Sequence, residues 1–127
     1  MSRIQGKDTK PELVVRRLVH SLGFRYRLHR HDLPGSPDLV FPRLRRIIFV
    51  HGCYWHRHEG CRYAYLPKSN VSFWRSKFAA NVERDRMAIQ KLKKAGWRVH
   101  IIWECETQER EALKRRVTTY LKREGRR

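Results

Sequence analysis

Acidic residues are scarce in this 127-residue chain: 12 Asp plus Glu face 30 Lys plus Arg, for a net charge of +18 at neutral pH. Long hydrophobic runs are absent too. The longest, Ile47-Ile48-Phe49-Val50, falls far short of the roughly 20 residues a membrane span needs. The opening Met1-Ser2-Arg3-Ile4-Gln5-Gly6 has no apolar signal core, so a soluble, cytoplasmic protein is expected. Cysteine is limited to Cys53, Cys61 and Cys105, an odd number without a secretory leader. That argues against a disulfide scaffold and favours free thiols or metal ligation. There is no repeat, low-complexity stretch or internal linker, and the length suits a single domain, 1–127, with a two-layer core. A hydrophobic content of 40% supports a globular fold over disorder.

The basic excess acts first on polyanions, because each Lys or Arg that neutralises a phosphate releases condensed counterions. Basic residues run through the whole chain instead of lining one lipid-facing helix, which favours nucleic acid over an anionic membrane. Lys114-Arg115-Arg116, Lys122-Arg123 and Arg126-Arg127 read equally well as solvated helix and tail. Charge alone leaves RNA as open as DNA.

The spacing of apolar residues divides the chain. Thr9 and Glu12 fit a capping box with Pro11 in the first turn, and Leu13, Val14, Leu18 and Leu22 follow at helical spacing, predicting a helix over 9–22. Phe24, Tyr26 and Leu28 alternate with polar residues as in a half-buried strand. After the loop Pro34-Gly35-Ser36-Pro37, Asp38-Leu39-Val40-Phe41 and the run from Arg46 to Val50 predict a hairpin that delivers His51 at its end. Residues 51–70, dense in His, Cys, Tyr and Trp, have neither period and read as a loop or metal-ordered insert. From about Ser72 to Ala95, Trp74, Phe78, Val82, Ile89 and Leu92 trace one face of a long helix ending at Gly96. A strand from Val99 to Trp103 and a helix over about 108–123, with Leu113, Val117, Tyr120 and Leu121 inward, complete the order. Helix, three strands, insert, helix, strand, helix describes an α/β or α+β mixed sheet covered by helices.

Cys53, His58 and Cys61 lie within nine residues, and Cys105 just past a predicted strand can fold back to join them. These are soft and borderline ligands suited to tetrahedral Zn²⁺, and four of them make a structural site. Spacing leaves His56 as an alternative to His58, and inert thiols with surface histidines as the plain alternative. The insert has too few aliphatic residues to order itself, so metal would contribute its folding free energy directly. Asp38, at the mouth of one strand, is brought by the hairpin alongside Phe49-Val50-His51. A carboxylate and a main-chain carbonyl are hard oxygen ligands suited to Mg²⁺. His51 and His56 titrate near neutrality and can move a proton at a phosphate. Glu12 is expected in its capping box, although a helix-borne carboxylate can also orient an imidazole.

Together these segments resemble the very-short-patch-repair (Vsr) endonucleases, DNA mismatch enzymes with a restriction-endonuclease-like fold. The likeness runs through Asp8-Thr9-Lys10-Pro11-Glu12, Leu33-Pro34-Gly35-Ser36-Pro37-Asp38, Phe49-Val50-His51-Gly52-Cys53-Tyr54-Trp55-His56, Phe73-Trp74, Asn81-Val82-Glu83-Arg84-Asp85-Arg86, and Gly96-Trp97-Arg98-Val99 with Trp103-Glu104-Cys105. The resemblance implies catalytic Mg²⁺ on Asp38 and the Val50 carbonyl, His56 activating water with Glu12 behind it, and His51 assisting at the scissile phosphate. It also implies structural Zn²⁺ on Cys53, His58, Cys61 and Cys105. The sequence departs from the family pattern in having Val50 for Thr, Tyr54 for Phe, and Cys61 one residue late. It also opens late in what would be a basic N-terminal arm.

Tyr54, Trp55 and Trp74 are flat side chains near the proposed centre, and wedging them between base pairs is easier at a mismatch. Trp74 fits the helix's apolar register equally well. Lys77, Asn81 and Arg84 share a helix face. The resemblance gives Lys77 and Asn81 the reading of O4, O6 and N7 acceptors in a T·G pair, and a solvated face is the plainer reading. The function implied is a Mg²⁺-dependent, zinc-stabilised endonuclease nicking 5′ of the thymine in a T·G mismatch, to start repair of deaminated 5-methylcytosine. It would act as a monomer in the bacterial cytoplasm, on the nucleoid when bound to DNA, ahead of downstream mismatch-repair proteins. Rivals are a His-Asn-His-type nuclease and a non-catalytic zinc-containing nucleic-acid-binding module.

Overall fold

Thr9 begins the first helix as its sequence suggests, its hydroxyl accepting the Glu12 amide N–H at 3.4 Å. The computed structural model describes residues 9–122, so Asp8 and the arginines after Lys122 lie outside the described residues. The elements are α1 (Lys10–Ser21), β1 (Arg27–Leu28), β2 (Leu39–Phe41), β3 (Arg46–His51), α2 (Val71–Lys94), β4 (Arg98–Trp103), a short 3₁₀ helix (Glu104–Gln108) and α3 (Arg110–Lys122). The strands form one sheet in the order β1-β2-β3-β4. β2 and β3 are the expected antiparallel hairpin, with Leu39 opposite Ile48 and Phe41 opposite Arg46. β4 returns parallel to β3, pairing Ile47 with Val99 and His51 with Trp103, after the α2 crossover. This is the expected α+β mixed sheet flanked by helices.

The sheet is covered on both faces, which is why β2 and β3 read as continuous apolar runs and not as alternating ones. Leu39, Phe41, Ile48 and Ile102 join Val15 and Val19 of α1 and Leu113, Val117 and Leu121 of α3 in one core. Val40, Ile47 and Phe49 meet Leu92 and Trp97 in the other, on the α2 side. With a period of two, His51 follows Ile47 and Phe49 toward α2.

Four expectations about side chains are corrected. In α1 the most deeply buried positions are Glu12, Val15 and Val19, while Val14, Leu18 and Leu22 pack only partly, because the helix rolls its polar–apolar boundary into the sheet. The Phe24-Tyr26-Leu28 alternation yields only the two-residue β1, with Leu28 39% exposed. Phe24 and Tyr26 still pack on the first core, and the chain leaves extended geometry at His29, whose φ is 46°. On α2, Val82 is 43% exposed, since the outer half of that helix overhangs the sheet and only Phe78 and Leu92 are buried. The last helix begins later than residue 108, because Glu104–Gln108 winds as 3₁₀.

The loop between β1 and β2 is held against α2 by Gly35. Its φ is +76°, and a Cβ there would lie 2.9 Å from Ala88 Cβ and 3.2 Å from Phe49 Cζ. Both the left-handed backbone and the contact require glycine. Gly35→Ala is expected to lower stability by about 1–3 kcal/mol, read as a lower urea midpoint at unchanged slope. An unchanged midpoint would contradict this seating of the loop.

Candidate active site and metal centre

Three groups of ligating side chains gather at one end of the sheet. Cys53, His58, Cys61 and Cys105 each place a donor atom within 4.8 Å of the others. Cys53 Sγ and Cys105 Sγ both lie 3.6 Å from His58 Nδ1. Tetrahedral Zn²⁺ with ordinary Zn–S and Zn–N bonds sets such an edge at about 3.6 Å, so the donors fit the ion in kind and in spacing. Burial pushes the Cys53 and Cys105 thiols up, whereas the Tyr63 backbone N–H draws the Cys61 thiol down. The insert is anchored to the far end of β4, where Glu104 Oε1 accepts the Cys53 N–H at 3.4 Å. Trp103 lies flat against the His58 ring at 4.3 Å and edge-on to His51 at 5.3 Å, joining this cluster to the next.

The second group is His51, His56 and Asp85. The two imidazoles stack with centroids 3.8 Å apart and planes 7° apart. His56 Nδ1–H donates to Asp85 Oδ2 at 2.7 Å, which leaves its lone pair on Nε2. His51 is buried, and its Nδ1 has no partner among the described residues. Burial, and then the neighbouring His56, draw the His51 imidazole down to about 3, so it is neutral at physiological pH. Beside the pair runs a cleft of about 380 Å³ lined by Pro34, Gly35, His51, Arg84, Asp85 and Lys91. An orphaned buried nitrogen in a cleft with two cations is suited to a phosphate.

The third group is Glu12, His29 and Asp38. Asp38 Oδ2 accepts the Val50 N–H at 2.7 Å, so the hairpin does bring this carboxylate to the end of β3. Burial pushes Asp38 up to about 6 against the pull of that N–H, and nearby Glu12 adds to the rise. Between pH about 4 and 6 the folded protein therefore holds a proton that the unfolded chain has released. Stability falls as pH rises through that window, and the buried charge costs on the order of 2–3 kcal/mol at neutral pH. A divalent cation would relieve that penalty, and buried carboxylates are the hard donors Mg²⁺ takes.

The structure assigns two carboxylates differently from expectation. The group bonded to His56 is Asp85, where Glu12 was expected. Glu12, 2% exposed, receives N–H bonds from His29 Nε2 at 2.5 Å and Arg16 at 2.7 Å instead of serving mainly as a cap. Asp85 belongs to the Asn81–Arg86 motif, and its place four residues beyond Asn81 on α2 is the signal for it. The aromatic residues of the insert find a packing surface on α2: Tyr54, Trp55 and Trp74 all lie against Phe78, itself 4% exposed, with centroids 5.3, 6.3 and 5.7 Å away. Asn81 donates to the Trp55 carbonyl at 3.3 Å and accepts from Arg84, so it holds the insert; Lys77 is exposed.

A mixed sheet with acidic and imidazole side chains at the end of its hairpin can hold a cation and move a proton at a phosphate, the chemistry a nuclease needs. The catalytic domain of the homing endonuclease I-Bth0305I shares the fold, with a TM-score of 0.62 at 18% identity over 89% of this chain and 94% of that one. Residues 1–62 match the family model described as DNA mismatch endonuclease Vsr. The type II nicking enzyme V.XorIIP of Xanthomonas oryzae pv. oryzae is 49% identical over 95% of this chain and 88% of its own length. DNA mismatch endonuclease Vsr of Escherichia coli K12 is 42% identical over 89% and 72%. The type II nicking enzyme V.NmeAIP of Neisseria meningitidis serogroup A is 38% identical over 92% and 83%. The chain belongs to the Vsr family and is a DNA endonuclease.

If the cysteine cluster holds Zn²⁺, the purified protein carries about one zinc per chain. Chelation then lowers the melting temperature, and Cys105→Ala does the same. A zinc-free protein whose melting is untouched by a chelator would contradict this.

Proposed function

We propose that this endonuclease nicks one strand of duplex DNA 5′ of the thymine in a T·G mismatch, with Mg²⁺ at Asp38 and structural Zn²⁺ at Cys53, His58, Cys61 and Cys105. The observation that carries the reading is the convergence, at the end of β3, of Asp38, the His51–His56 stack and Asp85 beside a basic cleft. The mismatch preference draws on the similarity to the Escherichia coli enzyme.

Asp38 and the main-chain carbonyl of Val50 would hold the Mg²⁺, which when bound supplies positive charge against the charge developing on the phosphate. His56 is the general base: Asp85 holds Nδ1–H, and Nε2 takes the proton of the attacking water. Neutral His51 donates a hydrogen bond to a phosphate oxygen, while Arg84 and Lys91 hold the backbone in the cleft. Tyr54, Trp55 and Trp74, braced by Phe78, stack into the duplex at the weakened pair. Lys77 offers a donor to the base edges, and Asn81 adds one when its bond to Trp55 is exchanged. Glu12 acts from behind Asp38, through His29.

A His-Asn-His arrangement would put insert histidines around the catalytic metal, whereas His58 lies among the cysteines. The test is digestion of an end-labelled T·G heteroduplex and its T·A control with Mg²⁺. A single nick 5′ of the mismatched thymine is expected; equal cutting of both duplexes would reject the specificity, and no cutting would favour the binding module. His56→Ala is expected to slow nicking by about 10²–10⁴-fold with binding retained. Because Asp38 is needed as its carboxylate, nicking at low Mg²⁺ should fall as pH drops through about 6, and more Mg²⁺ should move the fall to lower pH. A profile indifferent to Mg²⁺ would contradict that assignment.

A further inference from the structure

His29 has no part in the expected site, yet it occupies a costly and well-defined position there. It follows β1 with φ at 46°, left-handed backbone that a side chain adopts at an expense of about 1 kcal/mol or more. Its N–H donates to the Asp38 carbonyl at 3.2 Å, which ties this turn to the mouth of β2. Its ring reaches back to α1, where Nε2 lies 2.5 Å from Glu12 Oε2, and the side chain is only 14% exposed. One donor atom from each of Glu12, His29 and Asp38 falls within 4.8 Å of the other two.

A histidine that merely clipped α1 to the sheet would need one carboxylate and an ordinary backbone. Here the turn sets one imidazole beside two carboxylates from separate elements, with the ring nitrogen inward. Neighbouring ligands of an octahedral divalent ion with bonds near 2.1 Å lie about 3 Å apart, and opposite ones about 4.2 Å apart. The three donors are close enough for that geometry with small movements.

We propose that His29 is a protein ligand of the catalytic cation, completing a set of two carboxylates and one imidazole with Asp38 and Glu12: the cation replaces the Nε2 proton that Glu12 holds in the metal-free protein, and the neutral ring carries its proton on Nδ1. This rests on the reading that places the cation at Asp38, and adds to it a change in ion preference. Oxygen ligands suit Mg²⁺, Ca²⁺ and Mn²⁺ alike, but exchanging one oxygen for an imidazole nitrogen penalises Mg²⁺ more than Mn²⁺, because transition ions accept nitrogen donors more readily. The site therefore takes Mn²⁺ more tightly than Mg²⁺, and His29 is the side chain responsible.

The test measures binding of Mn²⁺ alone to the zinc-loaded protein, from the electron paramagnetic resonance signal of the free ion, with Mg²⁺ as competitor. Parent, His29→Gly, His29→Asn and Asp38→Asn are compared. Glycine and asparagine both accept the left-handed turn, so neither variant asks the loop to refold; melting curves check this. His29→Gly is expected to weaken Mn²⁺ binding by about tenfold or more while Mg²⁺ binding changes less. His29→Asn, which offers an amide oxygen, should keep Mg²⁺ binding and still lack the preference for Mn²⁺. A purely structural histidine would leave the Mn²⁺-to-Mg²⁺ preference untouched. Unchanged Mn²⁺ affinity and preference in both His29 variants, with binding lost in Asp38→Asn, would overturn the role of His29 and leave the proposed function standing. Binding that survives Asp38→Asn as well would overturn both.

Discussion

A carboxylate held largely out of water, with one oxygen on the Val50 N–H, is the constraint around which this protein is arranged. Desolvation works against the Asp38 charge, and the Val50 N–H, brought opposite by the hairpin, offsets part of it. Active sites are commonly less stable than their surroundings would allow, since groups poised for a ligand are imperfectly satisfied without it. The unpartnered Nδ1 of buried His51 belongs to the same pattern. Both groups sit at the end of β3, the strand paired on both sides and buried on both faces. That strand is the rigid element on which a site needing sub-ångström placement is best built.

The cysteine–histidine cluster and the stacked imidazoles share a support. Cys53 lies two residues beyond β3, and Cys105 two residues beyond β4, so a metal there would join the ends of central β3 and its edge neighbour β4. Trp103 touches a histidine of each group, and Glu104 and Glu106 hold backbone N–H groups of Cys53 and Trp103. Loss of metal would therefore loosen the wall against which His51 is stacked. The aromatic residues of the insert stand on Phe78 of α2, so the same insert that carries His56 of the imidazole stack also carries the aromatic cluster.

Much of this was legible in the sequence, for physical reasons that also mark its limits. The hairpin, α2 and β4 follow from apolar spacing bounded by Gly96 and the Pro-Gly loop, and the clustering of the three scarce cysteines with a histidine from their spacing, although spacing left His56 and His58 as alternatives. Partner choice was less visible. Glu12 and Asp85 are both helix-borne carboxylates, and only the relative placement of α1 and α2 across the sheet decides which one meets His56. The family motif pointed to Glu12 as important without revealing that its imidazole is His29. Asn81 read as a free donor on a solvated face because helical spacing cannot show an insert folding down upon it. Val82 had the right period for the core and overhangs it, since α2 is longer than the sheet it covers.

The central claim is that Asp38 is kept as a half-buried carboxylate for a cation, at the expense of stability. Its most direct test is the paired measurement of melting temperature and T·G nicking for Asp38→Asn, zinc-loaded and free of Mg²⁺ during melting, at neutral pH. The amide retains an acceptor for the Val50 N–H and carries no charge to desolvate. The expected result is a higher melting temperature together with loss of nicking. A variant that melts lower than its parent, or that still nicks, would contradict it.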